Sequence, residues 1–157
     1  MPLKKVFNSH VLSFGLGLAV ASLAFRWLNN PSKESVENNN EAKRKVAVFF
    51  GDSITQRGFE IEAKGFVASI ADWWTRKVDV VNRGFSGYNS KWAQDIFEDV
   101  VLSANPHIVF IFFGANDAVD PSVAQHVPLA DYKRYVESLV VALKKVISLV
   151  SLIIFCN

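Results

Sequence analysis

Three short polar segments each follow an apolar run, and the residues in them have the chemistry that acyl transfer requires. The first segment, Gly-Asp-Ser at residues 51–53, directly follows the apolar run Val46–Phe50. A serine between the end of a buried strand and the start of the next helix lies where helix N–H groups can stabilise an anion. Ser53 is therefore a candidate nucleophile. The alternative is that Asp52 or Ser53 only caps the following helix.

The other two segments supply candidate donors for the oxyanion that an attacking serine generates. Gly84 offers a backbone N–H that can be approached closely, and Asn116 offers a side-chain amide. Together with the N–H of Ser53 they would make three donors, and losing one donor from an oxyanion hole typically costs about 2.7–4 kcal/mol. The alternatives are turn geometry for Gly84 and Gly87, and an Asx-turn or a helix cap for Asn116.

All three segments occur at the same point of a repeating pattern, in which a strand is followed by a loop and then by a helix. This alternation predicts right-handed crossovers and a parallel sheet with helices on both faces, so that the three loops share one rim. The predicted strands are 46–50, 78–82 and 107–113, and the predicted helices lie around 66–77, 90–103 and 129–146. Four large aromatic residues on these helices are predicted to pack in the core: Trp73, Trp74, Trp92 and Phe97.

Composition argues against several other kinds of site. The chain has 157 residues, a net charge of only +2, three histidines and one cysteine. The scattered basic residues argue against nucleic acid as the main partner. The single cysteine rules out a disulfide within the chain, and so few histidines and cysteines make a metal site improbable. We expect no cofactor and no metal.

The first 45 residues form two segments that precede the predicted domain. Residues 1–28 hold an apolar run, 11–25, after Lys4 and Lys5. This pattern predicts a membrane anchor that includes residues 11–28, a cleaved signal peptide or an organelle-targeting segment. Residues 29–45 are predicted to be a polar linker. Location is left open, with a membrane anchor or the secretory pathway favoured over organelle import or the cytoplasm.

The three blocks together resemble a known family. Gly-Asp-Ser-Ile-Thr at 51–55, Asn-Arg-Gly-Phe-Ser-Gly-Tyr-Asn at 82–89 and Gly-Ala-Asn-Asp at 114–117 are similar to the first three blocks of the SGNH (GDSL-type) hydrolases, in particular to their isoamyl acetate-hydrolysing esterase-like branch. The resemblance covers residues 46–147. It implies a flavodoxin-like parallel sheet and metal-free hydrolysis of carboxylic esters. Ser53 would be the nucleophile, and Gly84 and Asn116 would complete the oxyanion hole, with Asp52 and Asp117 in support.

The chain departs from the family pattern after the third block. It has no Asp-X-X-His, the block that supplies the acid and the base of the family's triad. We therefore expect an incomplete domain of about three of five strands with impaired catalysis. The apolar residues 148–157 are predicted to be either a divergent tail or a fourth strand. His107 is predicted to lie at the far end of the sheet, and His126 to be a loop residue rather than a substitute base.

Two other functions remain open at this point. One is a membrane-tethered, catalytically inactive SGNH-like protein that binds a ligand or a partner on the same rim. The other is a flavodoxin-like nucleotide binder, which is disfavoured because no loop has the glycine spacing of a phosphate-binding motif.

Overall fold

The sheet has four strands and is described here from a computed structural model that places residues 44–147 and 153–154. The strands are β1 (Lys45–Gly51), β2 (Val78–Gly84), β3 (Ile108–Phe112) and the two-residue β4 (Ile153–Ile154). All pair in parallel, in the order β2-β1-β3-β4. In register, Gly51 lies beside Gly84 on one side and beside Phe112 on the other. The loops that follow β1, β2 and β3 therefore leave the sheet along one rim.

Four helices connect the strands or follow them. They are α1 (Ser53–Arg57), α2 (Phe66–Trp73), α3 (Ser90–Val100) and α4 (Leu129–Val146), and a short 3₁₀ turn (Leu102–Ala104) follows α3. In α4 the buried residues recur three and four positions apart, so that they form a single apolar stripe. They are Val136, Leu139, Val140 and Leu143.

Side chains of β1 alternate between two apolar layers, because successive residues of a strand point to opposite faces. Val48 and Phe50 pack with Phe97 of α3 and Leu139 of α4 on one face. On the other face the Phe49 ring stacks on Phe110 and meets the edge of Phe66 in α2. Helices thus cover both faces of the sheet. The strand order and the two covered faces are those of a flavodoxin-like doubly wound fold.

Some predicted elements differ from those observed. The helix predicted at 66–77 ends at Trp73, after which Arg76 adopts a positive φ of 66°, a conformation that a continuing helix cannot contain. The short helix α1 was not given a range of its own. Trp74 is 1% exposed, as predicted, but Trp73 is 42% exposed, so its core assignment was wrong. Trp73 is the last residue of α2 and Trp74 is its C-cap, and adjacent residues at a helix end face different directions.

The two ends of the chain are described only in part. Of the residues predicted to be linker, Arg44 and Lys45 are described, and Lys45 is the first residue of β1. The predicted apolar segment 1–28 and the rest of the linker lie outside the described residues. In the tail, Ile153 and Ile154 pair with Phe110 and Ile111, as the fourth-strand alternative anticipated. Within residues 44–147 and 153–154, none of the helices has the length and apolarity needed to cross a membrane.

Candidate active site

Ser53 is the first residue of α1, immediately after the tight turn that ends β1. Asp52 is the N-cap, and its Oδ1 accepts the N–H of Ile54 at 2.9 Å. The N–H of Ser53 has no acceptor within the helix, as is normal for the first position. Ser53 is half-buried, and no described side chain hydrogen-bonds to its hydroxyl. The cap alternative therefore applies to Asp52, and it leaves Ser53 available for chemistry.

Asp52 is a buried acid beside this serine. Burial raises the pKa of the Asp52 carboxyl above its ordinary value, and the nearby carboxylate of Asp117 raises the pKa further. The hydrogen bond from Ile54 N–H opposes the rise. Because the Asp52 carboxyl already accepts a backbone N–H, its geometry suits it to holding the turn in place.

Gly84 lies in tight contact with α1, and its N–H already has a partner. That N–H donates to Oδ1 of Asn82 at 2.8 Å. A Cβ at position 84 would lie 2.0 Å from the backbone nitrogen of Gln56 and 2.4 Å from its Cα. In this conformation Gly84 permits close packing and does not offer a free donor. The predicted donor role is revised accordingly, since the Asn82 side chain occupies the N–H.

Asn82 also fastens the end of β2 to α1. Its Nδ2 donates to the carbonyl oxygen of Thr55 at 2.7 Å, while its Oδ1 accepts from Gly84. The side chain therefore bridges the nucleophile helix and the second loop.

Residues Phe85–Tyr88 form a tight turn on the rim next to α1. The N–H of Tyr88 donates to the carbonyl of Phe85 at 3.1 Å, and Gly87 has a φ of 82° in the third position, where a type II turn needs a positive φ. A Cβ at Gly87 would meet nothing within 4 Å. Its N–H has no hydrogen-bond acceptor among the described residues. Gly87 thus has the open, unpaired N–H that was expected of Gly84.

Asn116 is held against the second loop through its side chain. Its Nδ2 donates to the carbonyl oxygen of Tyr88 at 2.7 Å. An amide nitrogen carries two hydrogens, and the second has no acceptor in the described part of the chain. The structure therefore joins the loops that carry Gly87 and Asn116, and it leaves one amide N–H of Asn116 available.

Asp117 fastens the third loop to the start of α3. Its carboxylate accepts the Ser90 N–H at 3.0 and 3.1 Å, and it also accepts the Ser90 hydroxyl. Asp117 and Ser90 are both buried. A carboxylate at a helix N-terminus is favoured by the helix dipole. The Asp117 carboxylate is therefore occupied by Ser90, and its supporting role stays a prediction.

The two described histidines have partners away from Ser53. Nδ1 of His107 accepts the N–H of Val46, at the start of β1 and therefore at the end of the sheet opposite the rim, as predicted. Nδ1 of His126 lies 2.7 Å from the carbonyl oxygen of Val119 in its own loop. The pKa of Asp120 is lowered chiefly by hydrogen bonds from Ser122, and His126 contributes a smaller part. Neither ring hydrogen-bonds to Ser53.

Gln56, Asn82 and Ser90 were not singled out from the sequence, although all three anchor the rim. Their only sequence signal is position, because each polar side chain lies within a few residues of a predicted strand end or helix start. Side chains that hold backbone groups together leave no spacing pattern of their own. Within the described ranges, no group of three or more acidic, histidine or cysteine residues is placed to hold a metal ion.

A family model provides the first comparison. The model of the GDSL-like lipase/acylhydrolase family matches residues 49–154, well over half of the chain. The chain belongs to this family. The match includes all three loops of the rim and reaches β4 at the carboxyl end.

Individual GDSL-family relatives agree with this assignment. The chain is 47% identical over 105 residues to the isoamyl acetate-hydrolyzing esterase 1 homolog of Homo sapiens, covering 63% of this chain and 42% of that protein. The homolog of Bos taurus is 46% identical over 119 residues, covering 72% and 47%. The crystal structure of the acetyl xylan esterase AlAXEase superposes with a TM-score of 0.60 at 27% identity, covering 68% of this chain and 56% of that one. The chain thus spans less than half the length of these two curated relatives.

Proposed function

We propose that the chain is a carboxylic ester hydrolase of the GDSL type, with Ser53 as nucleophile. The observation that carries this proposal is the set of unpaired hydrogen-bond donors on the rim that Ser53 shares. They are the N–H of Ser53, the N–H of Gly87 and the second amide N–H of Asn116. Neighbouring rim groups are already paired, as the N–H of Gly84 shows.

In the first step the Ser53 hydroxyl oxygen attacks the ester carbonyl carbon, and its proton passes to a base. The carbonyl oxygen becomes an oxyanion, which the three donors would stabilise. Each such donor is worth about 2.7–4 kcal/mol of transition-state stabilisation. Collapse of the intermediate expels the alcohol and leaves an acyl-serine, which water then hydrolyses. Gly87 takes the donor role in this scheme in place of Gly84.

Acetyl esters are the substrate class that we propose. The names of the relatives point to it, since one set is named for isoamyl acetate and the structural neighbour for acetyl xylan. These substrates share an acetyl group and differ in the alcohol. Phenyl and nitrophenyl acetates are therefore suitable first probes.

General-base catalysis is the part of the mechanism for which this chain has the fewest candidate residues. The sequence has no Asp-X-X-His, and neither described histidine is hydrogen-bonded to Ser53. We propose that in these 157 residues by themselves the Ser53 proton passes to solvent, so that their hydrolysis of the ester is slow and rises with hydroxide concentration. In serine proteases whose triad is removed, about 10³–10⁴-fold acceleration over water persists from the oxyanion hole and binding.

The test is hydrolysis of p-nitrophenyl acetate by the full chain. We expect slow turnover that increases with pH and is abolished by Ser53→Ala. Ser69→Ala is the matched control, because it removes an exposed serine hydroxyl from α2, outside the three loops of the rim; it should leave the rate unchanged. Equal rates for the wild type and for Ser53→Ala would refute the enzyme proposal. If the ester then bound equally to both, the alternative of an inactive binding protein would be favoured.

A further inference from the structure

The tip of the turn that carries Gly87 is held by one side chain. Phe85 is fixed through its N–H, which donates to the Gly51 carbonyl at 2.8 Å, and Tyr88 is fixed by Asn116. Between them lie Ser86 and Gly87. The only hydrogen bond to these two residues, within the part of the chain that the structure describes, is from Ser86 N–H to Oε1 of Gln56, at 2.8 Å.

Gln56 belongs to the helix that carries the nucleophile. It lies three residues after Ser53, in the last turn of α1. The side chain therefore connects the nucleophile helix directly to the tip of the Gly87 turn. Any change in this contact alters the position of the Gly87 N–H relative to the Ser53 hydroxyl.

We propose that Gln56 is a positioning residue for catalysis, which holds the Gly87 N–H in place for the oxyanion. This inference rests on the proposed function. The peptide between Ser86 and Gly87 supplies that N–H, and fixing the Ser86 N–H fixes the near side of the tip. A preorganised donor has no reorganisation to undergo during the reaction, so a loosened turn lowers the rate without changing ground-state binding.

Because Gln56 is exposed, its proposed role in catalysis can be distinguished from a role in the stability of the fold. Both Gln56 and Ser86 are exposed, so their hydrogen bond lies in water and adds little to the stability of the fold. Replacing the side chain should therefore leave the melting temperature nearly unchanged. Gln56→Met keeps the length and removes the acceptor, whereas Gln56→Glu keeps an acceptor oxygen in the same place.

The first measurement is amide hydrogen exchange of the 157-residue chain by NMR. In Gln56→Met we expect faster exchange at Ser86 than in the wild type. Gln56→Glu should restore slow exchange. Arg57→Met is the matched control, because it changes an exposed side chain on the same helix, and it should leave Ser86 exchange unchanged. Unchanged exchange at Ser86 in Gln56→Met would overturn the anchoring role, whatever the chain's activity.

The second measurement is p-nitrophenyl acetate hydrolysis by the same variants. We expect kcat of Gln56→Met to fall about tenfold with KM unchanged, which is less than the 10²–10³-fold loss typical of removing an oxyanion donor outright. Gln56→Glu should recover most of kcat. An equal fall in Arg57→Met, or no recovery in Gln56→Glu, would overturn the catalytic role. A wild type without activity would refute the proposed function and this catalytic role, while the exchange experiment would still decide the anchoring.

Discussion

Replacing Gly84 by alanine tests whether this residue serves close packing rather than oxyanion binding. The added Cβ would lie 2.0 Å from the Gln56 nitrogen and 2.4 Å from its Cα, and both are backbone atoms that cannot rotate away. Either α1 or the end of β2 must shift. Forcing an extra carbon into a packed site destabilises a protein by about 1–3 kcal/mol. Because the atoms in contact here are backbone atoms, we expect Gly84→Ala to lie at the upper end of that range. The melting temperature should fall by about 5–10 °C.

The assay is urea unfolding followed by far-ultraviolet circular dichroism, with Gly87→Ala as the matched control. At position 87 the new Cβ meets nothing, but the φ of 82° is unfavourable for alanine by about 1–2 kcal/mol. Gly84→Ala should therefore be the less stable of the two variants. If Gly84→Ala were as stable as the wild type, the packing role assigned to Gly84 would be refuted.

Two further substitutions probe the buried acids. Ser90→Ala removes the hydroxyl that donates to Asp117. It should lower the free energy of unfolding by about 1.5–3 kcal/mol, the range for a hydrogen bond to a charged group. A difference from the wild type of less than about 0.5 kcal/mol in urea unfolding would contradict this. Asp52→Asn removes a carboxyl whose pKa is raised in the folded state, so the folded chain holds this proton more tightly than the unfolded chain does. Asp52 therefore lowers the stability of the wild type as pH rises through the unfolded pKa of 3.8 and then through the folded pKa. The free energy of unfolding of Asp52→Asn, relative to that of the wild type, should therefore be greater at pH 7 than at pH 3.5. Urea unfolding at both pH values would refute this if the relative stability were the same at both or greater at pH 3.5.

Most of the fold could be predicted from the sequence, because the spacing of apolar residues indicates most of its strands and helices. The first three strands, α3 and the exact bounds of α4 follow from apolar runs and from the spacing of buried residues. What periodicity cannot show is where a helix stops. α2 ends at Trp73, three residues before Arg76 takes a left-handed conformation, and no glycine marks the end of the helix. The five-residue α1 is too short to have a period at all.

The candidate site was predictable down to its loops but not down to individual donors. Ser53 and Asn116 could be assigned to one rim because each lies in a segment that follows a strand, where the parallel topology brings these segments to the same edge. Choosing between Gly84 and Gly87 required knowing which N–H was already paired. The pairing depends on the Asn82 side chain, whose Oδ1 accepts the N–H of Gly84, two residues further along the chain. Such local competition for a donor cannot be read from residue type or spacing.

Several polar groups on the rim near the serine are already paired within the protein. Gly84 and Ser86 give their N–H groups to Asn82 and Gln56, and the Asp117 carboxylate is taken by Ser90. Each of these pairings removes a group that would otherwise hold water or the substrate in a competing orientation. The unpaired donors of Ser53, Gly87 and Asn116 are therefore the groups that we propose bind an incoming carbonyl oxygen. An exchange measurement that found the Gly84 N–H as unprotected as that of Gly87 would remove the basis for this choice of donors.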